Sequence, residues 1–289
     1  VTTWWATSSS AAGTDRARPQ RRTNQLGGAN VVVVDAVDRM AASGNRFVLT
    51  SRYPTRALRL LQDRSSRFEL IQVPPMTAEE TESALRTFGA TASAGDGPHQ
   101  ARTVQALTDG RPAYVEAMAV ELAAMRQAGS GDAVSALAAA LASGGRLARL
   151  CEYAYELRLH RARGYGALKA ILEILAAEEG LTLTQISQRM ARTPGSTKDY
   201  LSWLEDVDLV VARQKRYTYC DPLLRVWVRL HCQPVAPGDE DVSREVHRYA
   251  MPRLPHVADV PPVPAAPAVT PTAAAEDRRS GGSGIIEID

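Results

Sequence analysis

A chain of 289 residues, 45% hydrophobic and 23% charged, carries enough apolar material for a buried core and a length that suggests two domains. The formal net charge of +2 is too small to argue for nucleic acid by itself, and the excess of 31 arginines over three lysines (169, 198 and 215) reads as compositional bias. Three cysteines without CxxC spacing (Cys151, Cys220, Cys232) argue against a disulfide framework or a zinc site. The absence of a long apolar run or a signal core points to a cytoplasmic chain with no membrane association.

Residues 1–30 mix Ser, Thr, Gly and Arg without periodicity and are expected to be disordered, although Trp4-Trp5 is unexplained by that reading. Two readings of 31–43 stand. VVVVDA (31–36) is a strand ahead of a helix, or 35–43 is one helix; the ten residues from Asp35 to Arg46 favour the second. Strands are expected at 47–50 and 68–73, with a helix over 55–63 between them. Thr77 followed by Glu80 is a capping box that opens a helix, and helices over 98–108 and 113–127 flank Gly110-Arg111-Pro112. Strand, helix, strand and then helices alone describe residues 31–130 as the end of an α/β domain with a helical lid.

Connecting helices are expected over 131–163: an Ala-rich one at 132–142, then one carrying Leu147, Leu150, Ala154 and Leu157 at helical spacing. After Gly164 come a helix over 167–177, a second capped by Thr182 and Gln185, a Pro194-Gly195 turn, and a third capped by Ser196 and Asp199. LVVA, the basic tip RQKR (213–216) and YTYC complete a two-stranded ribbon. Helix, helix, turn, helix and ribbon describe 164–232 as a winged helix-turn-helix domain. Nine of the 17 prolines lie between 234 and 271, so 233–289 is expected to be a Pro-rich disordered tail.

Two stretches suit phosphate chemistry. LTSR places Thr50, Ser51 and Arg52 at a strand exit, where an arginine fork matches phosphate oxygens. The alternative is an ordinary polar turn. Gly110-Arg111-Pro112 sets a lid backbone against a base or simply separates two helices.

The order of RFVLTSRY, GRPAYVEAM and GALKAILEILAAEEGLTLTQISQRMARTPGSTKDYLSWLEDVDLV resembles the later part of archaeal-type ATPases, which belong with the AAA+-related and STAND P-loop ATPases. DPLLRVWVRLH (221–231) is similar to the segment that follows the winged helix in that family, and the resemblance covers about residues 37–232. It implies an α/β remnant of a P-loop ATPase core with a helical lid, followed by the winged domain. It also implies nucleotide contacts from Thr50, Ser51, Arg52, Gly110 and Pro112, with Arg111 in the same corner.

The chain departs from that family in one respect that decides the chemistry. A P-loop needs a lysine after its glycines to hold the β- and γ-phosphates, and the first lysine here is Lys169, inside the winged domain. Asp35 stands where the family has its Mg²⁺-binding aspartate, but Ala36 replaces the catalytic glutamate. ATP with Mg²⁺ is therefore expected only if a partner supplies the missing half-site. No catalytic residue or resident metal site is assigned, and the five scattered histidines argue against an acyl-transfer or metal enzyme.

The incomplete sheet is expected to recruit a protein partner or a second copy through an unpaired edge. DNA is the alternative partner, through Thr197 and Lys198 at the start of the third helix and Arg213, Lys215 and Arg216 in the wing. Against it, Asp199, Glu205, Asp206 and Asp208 make that helix acidic. The chain thus reads as a regulatory or scaffolding relative of STAND-type ATPases, or as a winged-helix transcriptional regulator.

Overall fold

The sequence TTWWA is rich in residues that fit a pleated surface, and it forms strand β1 (Thr2–Ala6). β1 lies between β2 (Phe47–Ser51) and β3 (Glu69–Gln72) and pairs antiparallel with both. Thr2 stands opposite Ser51 on one side and Gln72 on the other. β2 and β3 therefore run in the same direction without touching. The computed structural model describes residues 2–6, 37, 39–42, 46–51, 53–61, 69–91, 97–129, 131–160 and 164–255.

Most of the described chain is helical, and both small sheets are antiparallel throughout. Positions 37 and 39–42 are helical, in keeping with a helix ahead of β2. The VVVVDA stretch with Asp35 and Ala36 lies outside the described residues, as does Arg52. A strand at Thr2–Ala6 corrects the expectation of disorder for that part of 1–30: two β-branched residues followed by two aromatic ones outweigh the polar stretch behind them.

Four helices start with proline, whose fixed φ and missing N–H cost nothing at the first helical position. They are α1 (Pro54–Leu61), α4 (Pro112–Gln127), α9 (Pro194–Asp206) and α10 (Pro222–His231). α2 (Ala78–Thr87) opens with the expected capping box: Glu80 N–H donates to Thr77 Oγ1 at 3.2 Å, and Thr77 N–H donates to Glu80 Oε2 at 2.8 Å. α3 (Gly97–Thr108) and α4 meet at the Gly110 corner, and Asp132 caps α5 (Ala133–Leu141). α6 (Arg146–Leu159) buries Leu147, Ala148, Cys151, Tyr155 and Leu159, while Leu157 is exposed. The buried stripe is thus rotated from the expected one, because Cys151 and Tyr155 serve as core residues.

α7 (Tyr165–Ala177), β4 (Leu181–Thr182), α8 (Leu183–Arg189) and α9 lead into the ribbon β5 (Val210–Arg213) and β6 (Arg216–Tyr219). β6 pairs with both β4 and β5. Thr182 and Gln185 cap α8 as expected. The cap of α9 is Thr193, whose Oγ1 accepts from Ser196 N–H at 3.3 Å, so Pro194-Gly195 belongs to the helix rather than to a turn, and Ser196 is not the cap.

α11 (Asp239–Ala250) corrects the expectation of a disordered tail from 233 onward. Val242, Val246, Tyr249 and Ala250 share one face and are buried, three acids fill the first turn, and Tyr249 Oη donates to the Leu107 carbonyl at 2.7 Å. Residues 256–289 lie outside the described part.

One continuous apolar cluster runs from Leu85 in α2 to Ala250 in α11 and includes Leu201, Leu204 and Trp227. Burying such side chains stabilises by roughly 1.5–3 kcal/mol each before entropy opposes it. The β1–β3 sheet differs sharply, since all four residues of β3 and Val48 of β2 are exposed. All three cysteines are free. Among the described residues no helix is long and apolar enough to cross a membrane.

Candidate functional site

Thr50 is exposed at the end of β2, and Ser51 closes a local turn. The Ser51 hydroxyl accepts from Tyr53 N–H at 3.0 Å and donates to the Tyr53 carbonyl at 3.2 Å. This turn delivers the chain to Pro54 and α1.

Gly110 sits in a corner made by two consecutive positive φ angles, +50° at Asp109 and +61° at Gly110. Its carbonyl accepts from Met76 N–H at 2.8 Å, and Gln105 Nε2 donates to the Met76 carbonyl at 3.0 Å. A Cβ at Gly110 would fall 2.5 Å from that Met76 carbonyl, so only glycine fits. The corner clamps the strap that precedes α2 against α3 and α4.

Arg111 points elsewhere. One guanidinium nitrogen donates to the Cys220 carbonyl at 2.9 Å and another lies 3.3 Å from Asp221 Oδ2. Tyr114 Oη donates to the same oxygen at 2.8 Å, and Asp221 Oδ1 accepts from Leu223 and Leu224 N–H at 3.1 and 3.2 Å, capping α10. Asp221 is only 3% exposed, so its charge is stabilised by this set of donors. Burial first, and then Asp221, push the Tyr114 hydroxyl well up, and burial pushes the Cys151 thiol beside it up to about 12.

Among the described residues no hydrogen bond or ion pair joins Thr50 or Ser51 to Gly110, Arg111 or Pro112. Pro112 opens α4, and Arg111 is committed to the start of α10.

The second set of candidates lies in the ribbon and in α9. Arg213 faces Arg216 across a two-residue hairpin whose Gln214 and Lys215 have φ of +50° and +64°. Turns of this kind favour Asn and Gly. Arg216 donates to the Gly180 carbonyl at 2.7 Å, whereas Arg213, Lys215 and Lys198 are exposed and have no partner among the described residues. Thr197 is fully buried and its hydroxyl donates to the Thr193 carbonyl at 3.0 Å, which removes it from any DNA-contacting surface.

The acids at the end of α9 have an intramolecular use that their sequence did not show. Arg59 of α1 is paired with Asp206, and Asp208 Oδ1 accepts from Thr55 N–H at 3.4 Å, at the N-terminal end of α1. Burial raises the carboxyls of Asp206 and Asp208, and the Arg59 charge and the Thr55 hydrogen bonds offset it only in part.

No protein-family model, curated protein or solved structure gives a significant match to the chain.

Proposed function

We propose that the chain is a regulatory or scaffolding protein of the STAND-like, AAA+-related type, joining the sensor-and-lid end of a P-loop core to a winged helix-turn-helix module, and that it does not hydrolyse ATP alone. The observation that carries this reading is the double attachment of the module to the segment before it. Arg111 holds the Cys220 carbonyl and Asp221, and α1 holds Asp206 and Asp208. A module tied at two points serves the protein that contains it.

Two further observations support it. β2 and β3 run in the same direction with one strand between them, which is the gap a parallel sheet leaves when its central strand is removed. No lysine precedes Lys169, so the P-loop lysine on which phosphoryl transfer in that family relies has no counterpart in the first 168 residues. ATP and Mg²⁺ would bind only where the missing half-site is supplied. The test is an ATPase assay on the full chain, expected to run no faster than a protein-free blank. Turnover that survives further purification and vanishes in Arg52→Ala overturns the reading.

A winged-helix DNA-binding regulator is the second reading, favoured by the exposed cations Lys198, Arg213 and Lys215 and by the left-handed tip that presents Lys215. Replacing Arg213, Lys215 and Arg216 with Ala would then abolish micromolar duplex binding and flatten its salt slope by about two to three log units per log salt. Fluorescence anisotropy with a random duplex at two salt concentrations separates the two. The scaffolding reading expects affinity weaker than about 10⁻⁴ M at physiological salt.

A further inference from the structure

α6 carries two apolar stripes. One, formed by Leu147, Ala148, Cys151, Tyr155 and Leu159, is buried in the core. The other follows Leu150, Tyr153, Ala154 and Leu157, whose spacing sets all four on a different face of the same helix. Tyr153 is 60% exposed and Leu157 38%, while Leu150 and Ala154 are partly buried at the edge of the stripe. Among the described residues no hydrogen bond, ion pair or ring contact engages Tyr153 or Leu157.

The charges beside this stripe are ordered along the helix. Arg146 and Arg149 stand exposed in the first turn, and Glu152 and Glu156 stand exposed farther on. The helix dipole favours the reverse order, acids first and cations last. Neither Arg146 nor Arg149 has a partner among the described residues. Glu156 is held in place, accepting from Tyr165 Oη at 2.8 Å with Lys169 Nζ at 3.3 Å, yet its side chain remains 49% exposed. Arg149 and Glu156 lie on the same flank of the stripe, about 10 Å apart along the axis.

We propose that this face is the contact between two copies of the chain, with α6 packed against α6 in the antiparallel sense about a two-fold axis. Such an axis keeps equivalent flanks together and reverses the helix direction. With the axis level with Glu152 and Tyr153, Arg149 of each copy meets Glu156 of the other, and the contact is made twice. Leu150 of each copy then lies beside Leu157 of the other, and the two Tyr153 rings meet at the centre. The charge order that is unfavourable along one helix becomes pairing across two. This self-complementarity selects a second copy over an unrelated partner. The face is separate from the β1–β3 sheet, and the contact is independent of the nucleotide-family reading above. Two helix faces of this size bury less than the roughly 1,200 Å² of a standard stable interface, so the dimer is weak, with a dissociation constant of about 10⁻⁵ M.

The test is sedimentation velocity of the full chain from about 10⁻⁶ to 10⁻⁴ M. The wild-type sedimentation coefficient is expected to rise from monomer toward dimer across that range. Arg149→Glu alone and Glu156→Lys alone each set like charges opposite one another twice, and each is expected to weaken association about tenfold or more. An equimolar mixture of the two variants restores opposite charges at both contacts and is expected to recover the wild-type curve. Tyr153→Ser with Leu157→Ser is expected to abolish association without changing the melting temperature. That double variant carries the test if Glu156→Lys, deprived of its ties to Tyr165 and Lys169, does not fold. A wild-type chain that stays monomeric throughout, or a mixture of the two folded charge variants no tighter than either alone, overturns the proposal. Association unaltered by Tyr153→Ser with Leu157→Ser also overturns it and assigns the contact to another face.

Discussion

Arg111 forms an ion pair with Asp221 at 3.3 Å, joining the corner between α3 and α4 to the first turn of α10. The guanidinium also holds the Cys220 carbonyl, so one side chain spans the junction between the α3–α4 corner and the segment after the ribbon. A residue expected to face a nucleotide is thereby a tie inside the protein.

Replacing Arg111 with Ala is expected to lower stability by about 1–3 kcal/mol, since Asp221 stays buried with one cation fewer. Arg111→Lys should recover little, because a single ammonium cannot reach both the carbonyl and the carboxylate with a planar fork. Urea denaturation measures both. An unchanged midpoint for Arg111→Ala would show that the corner does not hold α10.

The contact between α1 and α9 carries a pH signature. Asp206 and Asp208 are raised above the usual aspartate value of 3.8, chiefly by burial. A raised folded value means that the folded chain binds the proton more readily. The stabilisation from these groups is then fully present below 3.8 and is lost as pH rises through their higher folded values. Asp208→Asn removes one of the buried charges, and Asn tolerates the +53° φ at this position. Its melting temperature should exceed the wild-type value by more at pH 7 than at pH 4. Parallel pH profiles would contradict this.

Lys215 holds a left-handed conformation with no tertiary partner among the described residues. Lys215→Gly is expected to stabilise the chain by about 1 kcal/mol, or about 2–4 °C in a thermal melt. A lower melting temperature would mean that the lysine side chain holds the hairpin.

Among the described residues, β1 is the only link between β2 and β3 in their sheet. Removing residues 1–6 should leave both strands with open edges, giving association that increases with concentration in sedimentation velocity. Amides 47–51 and 69–72 should lose hydrogen-exchange protection while the helical core from α2 onward keeps its own. Full protection of those two strands in the truncated chain would sink the idea.

Local signals were legible in the sequence. Thr77 with Glu80 and Thr182 with Gln185 marked their helix starts because each cap needs only residues three apart. α11 was hidden by the prolines around it, although Val242, Val246 and Tyr249 carry a helical period. Pro194 suggests a turn and so conceals Thr193 as the cap, although proline is also at home in a first helical position. The Arg111–Asp221 tie and the capture of Asp206 and Asp208 by α1 had no sequence signal, since spacing reports neighbours within one element and not contacts across the chain. Two of the acids that argue against DNA are thus committed within the chain, and so is the arginine.

The placement of β1 also sets where a fused partner would stand. Thr2 lies level with Ser51 and Gln72, so anything joined ahead of it leaves the sheet where β2 and β3 both end. A purification tag or fluorescent protein attached at the amino end would crowd the Thr50-Ser51 exit.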